Sequence, residues 1–464
     1  MALLACVASF YPVEGFAQPG QLNPSGHAGV LPDIIPSVAT NPAPEGGKDK
    51  RVPARLLSDR LPEKPTLAPS FSIPVEPLGF TPPGPFYMWQ RYSMASLDFF
   101  GEDKLLFTFR VPGLIRRDVG QKSGEDERQI RAVVVNVKTG QAEAEALWTV
   151  HDYARYIWML KDGHFLLRDR DSLQLGDRSL VLKPLLQFPG PLEWLEMDPQ
   201  QLYMVTNSHE PVKVDPKPGQ VDSPSTAEVT MEPDVKSPSA PPDTKASLPN
   251  DFVVRILERS TGKVMLVSRA RSPVHLPINA EGYLERLRAN GSNWLLNMSF
   301  FSGGSRTLGR VDSSCSPNFD FITHSEFLVT ACASWSATRL IAVTTDGRHL
   351  WEDDATNAEI WPLIVTSPDG FRFAREAIQV ARPVSAYNPI DTSDVKGQSV
   401  RILNAADGSV ALEAVASPAL DAGGNVAISP NGQRVAILSD GAIQVFDLPP
   451  APALPESPSA PPAK

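Results

Sequence analysis

The chain has 464 residues, of which 42% are hydrophobic and 21% are charged, and it carries a formal net charge of −10 with a pI near 5.3. This is a globular composition, and the length allows one large core or two domains. The acidic balance argues against nucleic acid as a partner, because such binding depends on clustered lysines and arginines. No segment beyond the N-terminus approaches the run of about 18 apolar residues that a membrane-spanning helix needs.

Residues 1–17 resemble the second half of a secretory signal peptide. An apolar run from Ala2 to Phe10 is followed by a turn-prone stretch, and cleavage after Ala17 or Gln18 fits the pattern. The positively charged region that normally precedes such a run is missing, so either the true start lies upstream or the N-terminus is merely apolar. Leu3 to Cys6 also resembles a bacterial lipobox, in which Cys6 would carry lipid. We expect export to the periplasm or the extracellular space, with lipid anchoring as the weaker alternative.

Prolines number 46 and are concentrated in three segments. Residues 18–85 contain motifs such as NPAPEGG, and residues 210–249 and 449–464 have a similar composition. Such motifs neither pair as strands nor continue a helix. We therefore expect a disordered or extended N-terminal arm at 18–85, a disordered insertion at 210–249 and a disordered tail at 449–464.

The folded body, residues 86–448, is strand-like nearly throughout, with short apolar or alternating runs bounded by Gly, Asp and Asn. Pairs of runs joined by Thr-Gly or Asp-Gly turns begin at Ala132, Phe252 and Ser399 and repeat one pattern. For Glu281–Gly291 alone, the sequence is compatible with either a helical turn or a strand. Each repeat fits a four-stranded antiparallel blade. Because one blade cannot bury both of its faces, the sequence predicts an all-β fold in which the blades stack into a β-propeller.

Counting the repeats gives about seven blades, with six or eight as alternatives. The last repeat lacks an outermost strand. A strand from the N-terminal side would close the ring, for instance FYMWQRY at Phe86–Tyr92. We expect the closed propeller to be a monomer.

Two repeats contain the same kind of tight turn, Ser367-Pro368-Asp369-Gly370 and Ser429-Pro430-Asn431-Gly432. Proline sets φ early in such a turn, and Asp or Asn followed by Gly tolerates the positive φ that the turn requires. Together with the final strand at Ala442–Leu448, these turns resemble those of bacterial WD-repeat-like and YVTN-type β-propellers. The Gly-His and Trp-Asp signatures of strict WD repeats are absent, and Asp447-Leu448 stands where Trp-Asp would end the strand. The resemblance implies the fold and names no partner.

The chain has three cysteines, Cys6, Cys315 and Cys332. Strands at Phe319–Thr323 and Phe327–Ala331 would form a hairpin and bring Cys315 and Cys332 side by side. A disulfide between them is then geometrically reasonable in an oxidising compartment. Two buried free thiols are the alternative.

The sequence predicts no catalytic, cofactor or metal site. The seven histidines lack metal-ligand spacing, and Gly-x-Ser-x-Gly is missing. FFSGGSRTLG at Phe300–Gly309 fits a hairpin turn better than a phosphate-binding loop. Glu193 with Glu196, or Asp353 with Asp354, could serve as paired glycosidase carboxylates, but the pair at 353–354 fits a solvated loop between blades better.

The sequence therefore favours a non-catalytic exported propeller that binds an unknown protein or an envelope ligand through its loops. A propeller enzyme that acts on glycans or uses a quinone cofactor is the alternative. Three or more buried ionisable groups converging at one end of the axis would weaken the scaffold interpretation.

Overall fold

The computed structural model describes residues 55–56, 61–82, 94–112, 127–151, 155–210, 251–334, 337–356, 359–381, 392–420 and 423–452. Within these ranges the chain is all β apart from two 3-10 turns, Glu76–Leu78 and Thr392–Asp394. Its sheets form a seven-bladed β-propeller, which confirms the fold class predicted from the sequence. The predicted leader at 1–17, most of the arm at 18–85, the insertion at 210–249 except Glu210, and residues 453–464 of the tail at 449–464 lie outside the described residues.

Apart from two strands of the N-terminal arm, each blade is an antiparallel sheet whose strands follow one another in the chain. Blades 1 to 3 consist of β3 (Ser96–Phe99), β4 (Lys104–Arg110), β5 (Arg128–Asn136) and β6 (Ala142–Val150), then β7 (Ile157–Met159), β8 (Phe165–Asp169), β9 (Ser172–Gly176) and β10 (Lys183–Gln187), then β11 (Leu192–Met197), β12 (Tyr203–His209), β13 (Phe252–Glu258) and β14 (Val264–Ala270). Blades 4 and 5 consist of β15 (Gly282–Asn290), β16 (Asn293–Phe300) and β17 (Ser305–Asp312), then β18 (Asn318–Phe321), β19 (Glu326–Ser334), β20 (Ala337–Thr344) and β21 (His349–Thr356). Blades 6 and 7 consist of β22 (Glu359–Thr366), β23 (Arg372–Val380), β24 (Val395–Asn404) and β25 (Val410–Ala416), then β26 (Val426–Ile428), β27 (Arg434–Ser439) and β28 (Ala442–Asp447).

The second strand of each blade is buried on both faces because each face packs on a neighbouring blade. In β4, Leu105 and Phe107 join a core cluster with Ala436 of blade 7. Leu106 points to the other face and joins a cluster with Phe165 of blade 2. This arrangement explains why runs such as KLLFTFR are continuously apolar rather than alternating.

The first strand of each blade lies at the inner edge, next to the axis. β3 contacts both β26 and β7, and β22 also contacts β26, so first strands of neighbouring blades meet one another. Side chains on these strands, or just before them, are therefore the ones placed to face the axis.

Part of the N-terminal arm completes the outer rim of the propeller. β2 (Phe71–Pro74) pairs antiparallel with β28 and supplies the fourth strand of blade 7. Closure by a strand from the N-terminal side is thus observed, but that strand lies at Phe71–Pro74 and not at Phe86–Tyr92, which falls outside the described residues. Ile73 stabilises the pairing of β2 with β28 because its side chain is buried in the core between blades 7 and 1.

The arm also contacts the outer strands of the two preceding blades. β1 (Arg55–Leu56) pairs in parallel with β21 of blade 5. Thr66 donates its backbone N–H to the carbonyl of Glu413 on β25 of blade 6 at 2.9 Å. The described part of the predicted arm therefore passes along blades 5, 6 and 7 in sequence order.

Two local predictions are decided by the strands themselves. Glu281–Gly291, for which a helical turn and a strand were both open, contains the first strand of blade 4. Asp353 and Asp354 lie within β21, so their placement in a solvated loop was wrong. Asp353 is 1% exposed, and Asp354 accepts a hydrogen bond from Arg339 at 3.1 Å. Three strands are described in blade 4.

Candidate functional site

The two Ser-Pro-x-Gly turns connect the first and second strands of blades 6 and 7. Ser367–Gly370 lies between β22 and β23, and Ser429–Gly432 lies between β26 and β27. In both turns the glycine N–H donates to the serine carbonyl at 2.9 Å. The glycines have φ of +78° and +70°, a conformation that a side chain would strain. Each serine hydroxyl also accepts a backbone N–H, from Arg372 or Arg434, at 3.1 Å.

Neighbouring turns bond directly to one another. The Asp369 N–H donates to the carbonyl of Pro430 at 3.0 Å. The Asn431 N–H donates to Oε1 of Glu102, in the equivalent turn of blade 1, at 3.1 Å. Lys161, in the turn between β7 and β8 of blade 2, lies 3.8 Å from Asp369 Oδ1. The predicted repeat turns therefore join blades 6, 7, 1 and 2 at one end of the axis.

A second group, of charged residues from blades 1, 2 and 6, interacts electrostatically. Asp98 lies on β3 of blade 1, Arg155 lies just before β7 of blade 2, and Glu376 lies on β23 of blade 6. The charges of Asp98 and Glu376 both act on Arg155. In a ring of seven, blades 2 and 6 are separated by blades 7 and 1, so such groups approach each other only at the axis. We call Asp98, Arg155 and Glu376 the axial site.

Arg155 is held in place without a carboxylate partner. Its Nε donates to the carbonyl of Ile157 at 3.2 Å, and its guanidinium lies over the ring of Trp158, 5.5 Å from the centroid. In the described part of the chain no carboxylate lies within ion-pair distance of it, and its Nη atoms have no hydrogen-bond partner. Burial lowers the pKa of Arg155, and the charges of Asp98 and Glu376 offset this in part. Because the side chain is nevertheless exposed, it borders a space that protein surrounds and solvent enters.

Glu376 is the most deeply buried member of the axial site, with no exposed surface. Its Oε2 accepts a hydrogen bond from Gln398 Nε2 at 3.0 Å, whereas its Oε1 has no partner. Burial raises the pKa of Glu376 to about 8, although the charge of Arg155 acts in the opposite direction. Glu376 is therefore largely neutral near pH 7, and one of its buried oxygens has no hydrogen-bond partner.

Asp98 is half-buried on the inner strand of blade 1. Burial raises its pKa, and both the charge of Arg155 and a hydrogen bond from Ser96 Oγ, at 2.6 Å, oppose that shift. The axial site thus combines one guanidinium with two carboxyl groups that burial makes harder to ionise.

A second ionisable cluster joins blades 3, 4 and 5. His275 precedes β15, and its Nδ1 lies 2.8 Å from Oε2 of Glu196 on β11. The ring N–H is not aligned with that oxygen, so the contact is an ion pair rather than a well-formed hydrogen bond. The Nε2 atom lies 2.8 Å from the carbonyl of Phe319, and Asp320 follows on β18.

The charges of this cluster support one another. Burial alone would lower the pKa of His275, but Glu196, Asp320 and the Phe319 carbonyl raise it to about 9. Burial, together with the charge of Glu196 and against that of His275, raises the pKa of Asp320 to about 6. His275 is therefore a cation at neutral pH, and it links the inner strands of blades 3 and 5. We assign this cluster a structural role.

The remaining sequence candidates lie apart from the axial site. The Sγ atoms of Cys315 and Cys332 are 2.07 Å apart, with their Cα atoms 5.5 Å apart, at the hairpin of β18 and β19. Gly303 and Gly304 form the turn between β16 and β17 with positive φ, so Phe300–Gly309 is a hairpin and not a phosphate cradle. Glu193 and Glu196 both lie on β11, and only Glu196 belongs to an ionisable cluster.

No group of three or more His, Cys, Asp or Glu in the described ranges could hold a metal ion. No helix among those residues is long and apolar enough to cross a membrane. The axial site can instead act through hydrogen bonds and charge: a guanidinium binds acceptors, and a neutral carboxyl both donates and accepts.

Sequence reasoning missed all three members of the axial site. One signal was available, because Glu376 is a charged residue within FAREAIQV, a strand that a propeller buries on both faces. Asp98 likewise stands between two apolar residues, Leu97 and Phe99, on an inner strand. Polar residues in such positions are buried, and buried polar groups need a partner or a function.

No protein-family model matches the chain, and no curated protein matches its sequence. Among solved structures, the chain is similar to a Pyrococcus horikoshii acylaminoacyl peptidase (orthorhombic crystal form), with 9% identity and a TM-score of 0.37 over 70% of this chain and 52% of that one. It is also similar to Kluyveromyces lactis Hsv2, with 11% identity and a TM-score of 0.34 over 61% of this chain and 71% of that one. The chain thus spans about half the length of the peptidase. Likenesses this distant carry no conclusion about activity or partners.

Proposed function

We propose that this protein is a non-catalytic β-propeller that binds a ligand at the axial site and acts outside the cytoplasm, in the periplasm or extracellular space. One observation carries the binding proposal: Arg155 is exposed, the charges of carboxyl groups from two other blades act on it, and among the described residues it has no ion-pair partner. A charged group surrounded by protein loses much of its hydration, and a bound ligand would restore the lost interactions.

The proposal modifies the simplest scaffold interpretation. Three ionisable groups from different blades interact through their charges, and a convergence of such groups is what would weaken a purely loop-mediated scaffold. We therefore place the ligand at the axis rather than on the loops. The compartment is supported by the leader-like residues 1–17 and by the close approach of Cys315 and Cys332, since disulfides persist mainly in oxidising compartments.

A hydrolase or lyase acting on glycans is the second candidate. Glu376 favours it, because a carboxyl group with a pKa of about 8 is suited to proton transfer near neutral pH. Gln398 donates a hydrogen bond to Oε2 of Glu376, and Gln398 itself accepts hydrogen bonds from Asn425 and from the Leu420 N–H. Because these bonds fix the position of Glu376, its environment is equally compatible with a binding role. The two functions differ in whether the bound molecule is converted.

The test is capture of the natural ligand. The wild-type chain and the R155Q variant would be purified under native conditions from an envelope extract, and released small molecules would be compared by mass spectrometry. We expect at least one compound that the wild type retains and R155Q loses. Identical compound profiles would contradict the axial site as the place of binding, and conversion of the captured compound on incubation would favour the enzyme.

Arg288 offers a matched control for Arg155. It is also exposed, its Nε donates to the carbonyl of Gly291 at 3.0 Å, and its guanidinium lies over Trp294 at 5.7 Å from the centroid. It lies on β15 of blade 4, a blade that contributes no residue to the axial site. R288Q therefore removes an arginine in the same local setting, and we expect it to retain the compound that R155Q loses.

A further inference from the structure

We propose that residues 30–38 of the N-terminal arm pair with β14, the outermost strand of blade 3, and cover the apolar side chains exposed there. These residues precede the described part of the chain. The contact lies on the outer rim of the propeller and does not depend on the axial site or on its ligand.

The outer edge of blade 3 is apolar and unpaired among the described residues. β14 pairs there with β13 alone, so alternate backbone N–H and C=O groups along its other edge have no strand partner. Val264, Met265 and Val267 are 46%, 42% and 57% exposed, and strand alternation places them on both faces of the sheet. Three exposed hydrophobic side chains on one strand form a patch of the kind that another segment covers.

The outermost described strands of blades 1, 2 and 4 are protected in another way. Each presents exposed charged residues or proline, namely Glu143 and Glu145 on β6, Lys183 and Pro184 on β10, and Arg306 and Arg310 on β17. Such residues discourage pairing at a sheet edge. The VMLV run at 264–267 of β14 has none of them, so this edge is the most suited of the four to receive a further strand.

The described part of the arm already adds to the rim in this way. β1 ends at Leu56 on blade 5, Thr66 bonds to the outer strand of blade 6, and β2 begins at Phe71 on blade 7, at intervals of 10 and 5 residues. The same route followed upstream from Arg55 leads to blade 4 and then to blade 3. At this pace the extended chain reaches blade 3 about ten to twenty residues before Arg55.

The apolar part of the arm lies at that distance. Residues 18–54 contain seven Val, Leu and Ile residues, and five of these fall within residues 30–38. Ile35 and Val38 precede Arg55 by 20 and 17 residues. The upstream arm therefore places its apolar side chains where the rim exposes apolar side chains.

The same segment resembles the strand that closes the ring. Asp33-Ile34-Ile35-Pro36 ends on Ile-Pro, as does β2, Phe71-Ser72-Ile73-Pro74. Proline is tolerated on an edge strand, and β2 shows that this chain uses it there. Ile35 would take the place in the added strand that Ile73 has in β2.

A tethered segment is favoured over a second copy of the protein as the occupant. Because residues 30–38 are joined to an arm that is already bound to the rim, their effective concentration at the neighbouring blades is on the order of millimolar. A second copy would have to supply its own β14 at its much lower solution concentration.

The experiment is hydrogen exchange of the full chain, followed by mass spectrometry. We expect slow exchange in the wild type both at β14 and at residues 30–38. The double variant I34D/I35D places two charges in the segment and should speed exchange at β14 at least about tenfold. V267D places a charge on the strand and should speed exchange at residues 30–38 by a similar factor.

Two variants are matched controls. L22D changes an apolar residue of the same arm outside the segment, and L147D changes a side chain that is 61% exposed on β6 of blade 1. Both should leave exchange at β14 and at residues 30–38 unchanged. Slow exchange of the buried strand β12 in every variant would establish that blade 3 is folded.

Three results would overturn the inference. The first is fast exchange of residues 30–38 in the wild type. The second is unchanged exchange at β14 in I34D/I35D. The third is a wild-type dimer, measured by light scattering, that V267D dissociates and I34D/I35D leaves intact, because the occupant would then be a second copy.

Discussion

Arg372 donates a hydrogen bond from Nη1 to the carbonyl oxygen of Gly432 at 2.7 Å, which ties the Ser-Pro-Asp-Gly turn of blade 6 to the Ser-Pro-Asn-Gly turn of blade 7. Arg434 occupies the same position after its own turn and donates to the carbonyl of Glu102 in blade 1 at 2.6 Å. An arginine two residues after the turn glycine thus repeats the same interblade bond. The repeated turn motif extends beyond the four turn residues to include this side chain.

We expect Arg372→Met to destabilise the propeller by roughly 3 kcal/mol, because it leaves buried acceptors without a donor. Arg372 is fully buried and also donates to Asn404 Oδ1 at 2.8 Å and to the carbonyl of Pro449. Arg434→Met is the control, since that side chain is partly exposed and its acidic partners are hydrated; about 1 kcal/mol is expected there. Urea unfolding would measure both, and equal losses would contradict the prediction.

Ile73→Ala should cost about 2–5 kcal/mol, the usual range for removing a buried isoleucine side chain. Ile73 is 2% exposed and packs in the core that closes the ring between blades 7 and 1. Ser72→Ala changes the adjacent, exposed position on the same strand and should be nearly neutral. Thermal unfolding of the two variants would separate these effects. Similar melting temperatures would argue against β2 as the closing strand.

Cys315 and Cys332 should be joined in protein that matures in an oxidising compartment. We expect an intact mass about 2 Da lower than that of the reduced chain, and a loss of roughly 3 kcal/mol on removing the crosslink, since it closes a loop of 17 residues. The C315S/C332S double variant, compared with the wild type with and without a reductant, would measure this. Alkylation of both thiols in the native, non-reduced protein would contradict the pairing.

Stability should fall as the pH rises from about 5 to 9. The pKa of His275 is about 9 in the folded protein against an ordinary value of 6.5, so the folded state holds an extra proton between these values, and its stabilising effect is lost as pH rises through 9. The pKa of Glu376 is about 8 against 4.5, which gives the same sign over a lower window.

Two variants separate those windows. His275→Gln should flatten the dependence between about pH 6.5 and 9, and Glu376→Gln should flatten it between about pH 4.5 and 8. Urea unfolding at constant ionic strength would provide the stability curves. A wild-type curve that rises with pH over this range would show that these groups are not protonated in the way the structure implies.

The sequence contained enough local information to predict the blades but not the axial site. A Ser-Pro-x-Gly turn is determined by four neighbouring residues, and a strand by its own apolar pattern, so both could be found without knowing the fold. Asp98, Arg155 and Glu376 belong to three different blades, and their meeting depends on ring closure and on blade number. The spacing of these three residues in the sequence therefore does not indicate that they interact.

The misplaced closing strand has a related cause. Phe71–Pro74 is only four residues long and ends in proline, so it is hidden within proline-rich surroundings. FYMWQRY has a far stronger strand pattern and lies closer to the first blade. What selects the shorter segment is burial of Ile73 against a core assembled from distant residues, which is tertiary information. The error at Asp353 is the opposite one. The acidic run was interpreted as a solvated loop, although Asp353 lies on β21 and is buried.

The route of the arm bears on how this protein acquires its structure. Ser70 and Asp447 are joined by a hydrogen bond where the N-terminal arm meets β28, and they are 377 residues apart in the chain. We call this junction the seam. Bringing such distant segments together costs loop-closure entropy that is recovered only when the contact forms, and pairings of this kind slow folding. The seam cannot form during synthesis until nearly the whole chain has emerged. A nascent chain therefore stays open along one side until its last blade has been made.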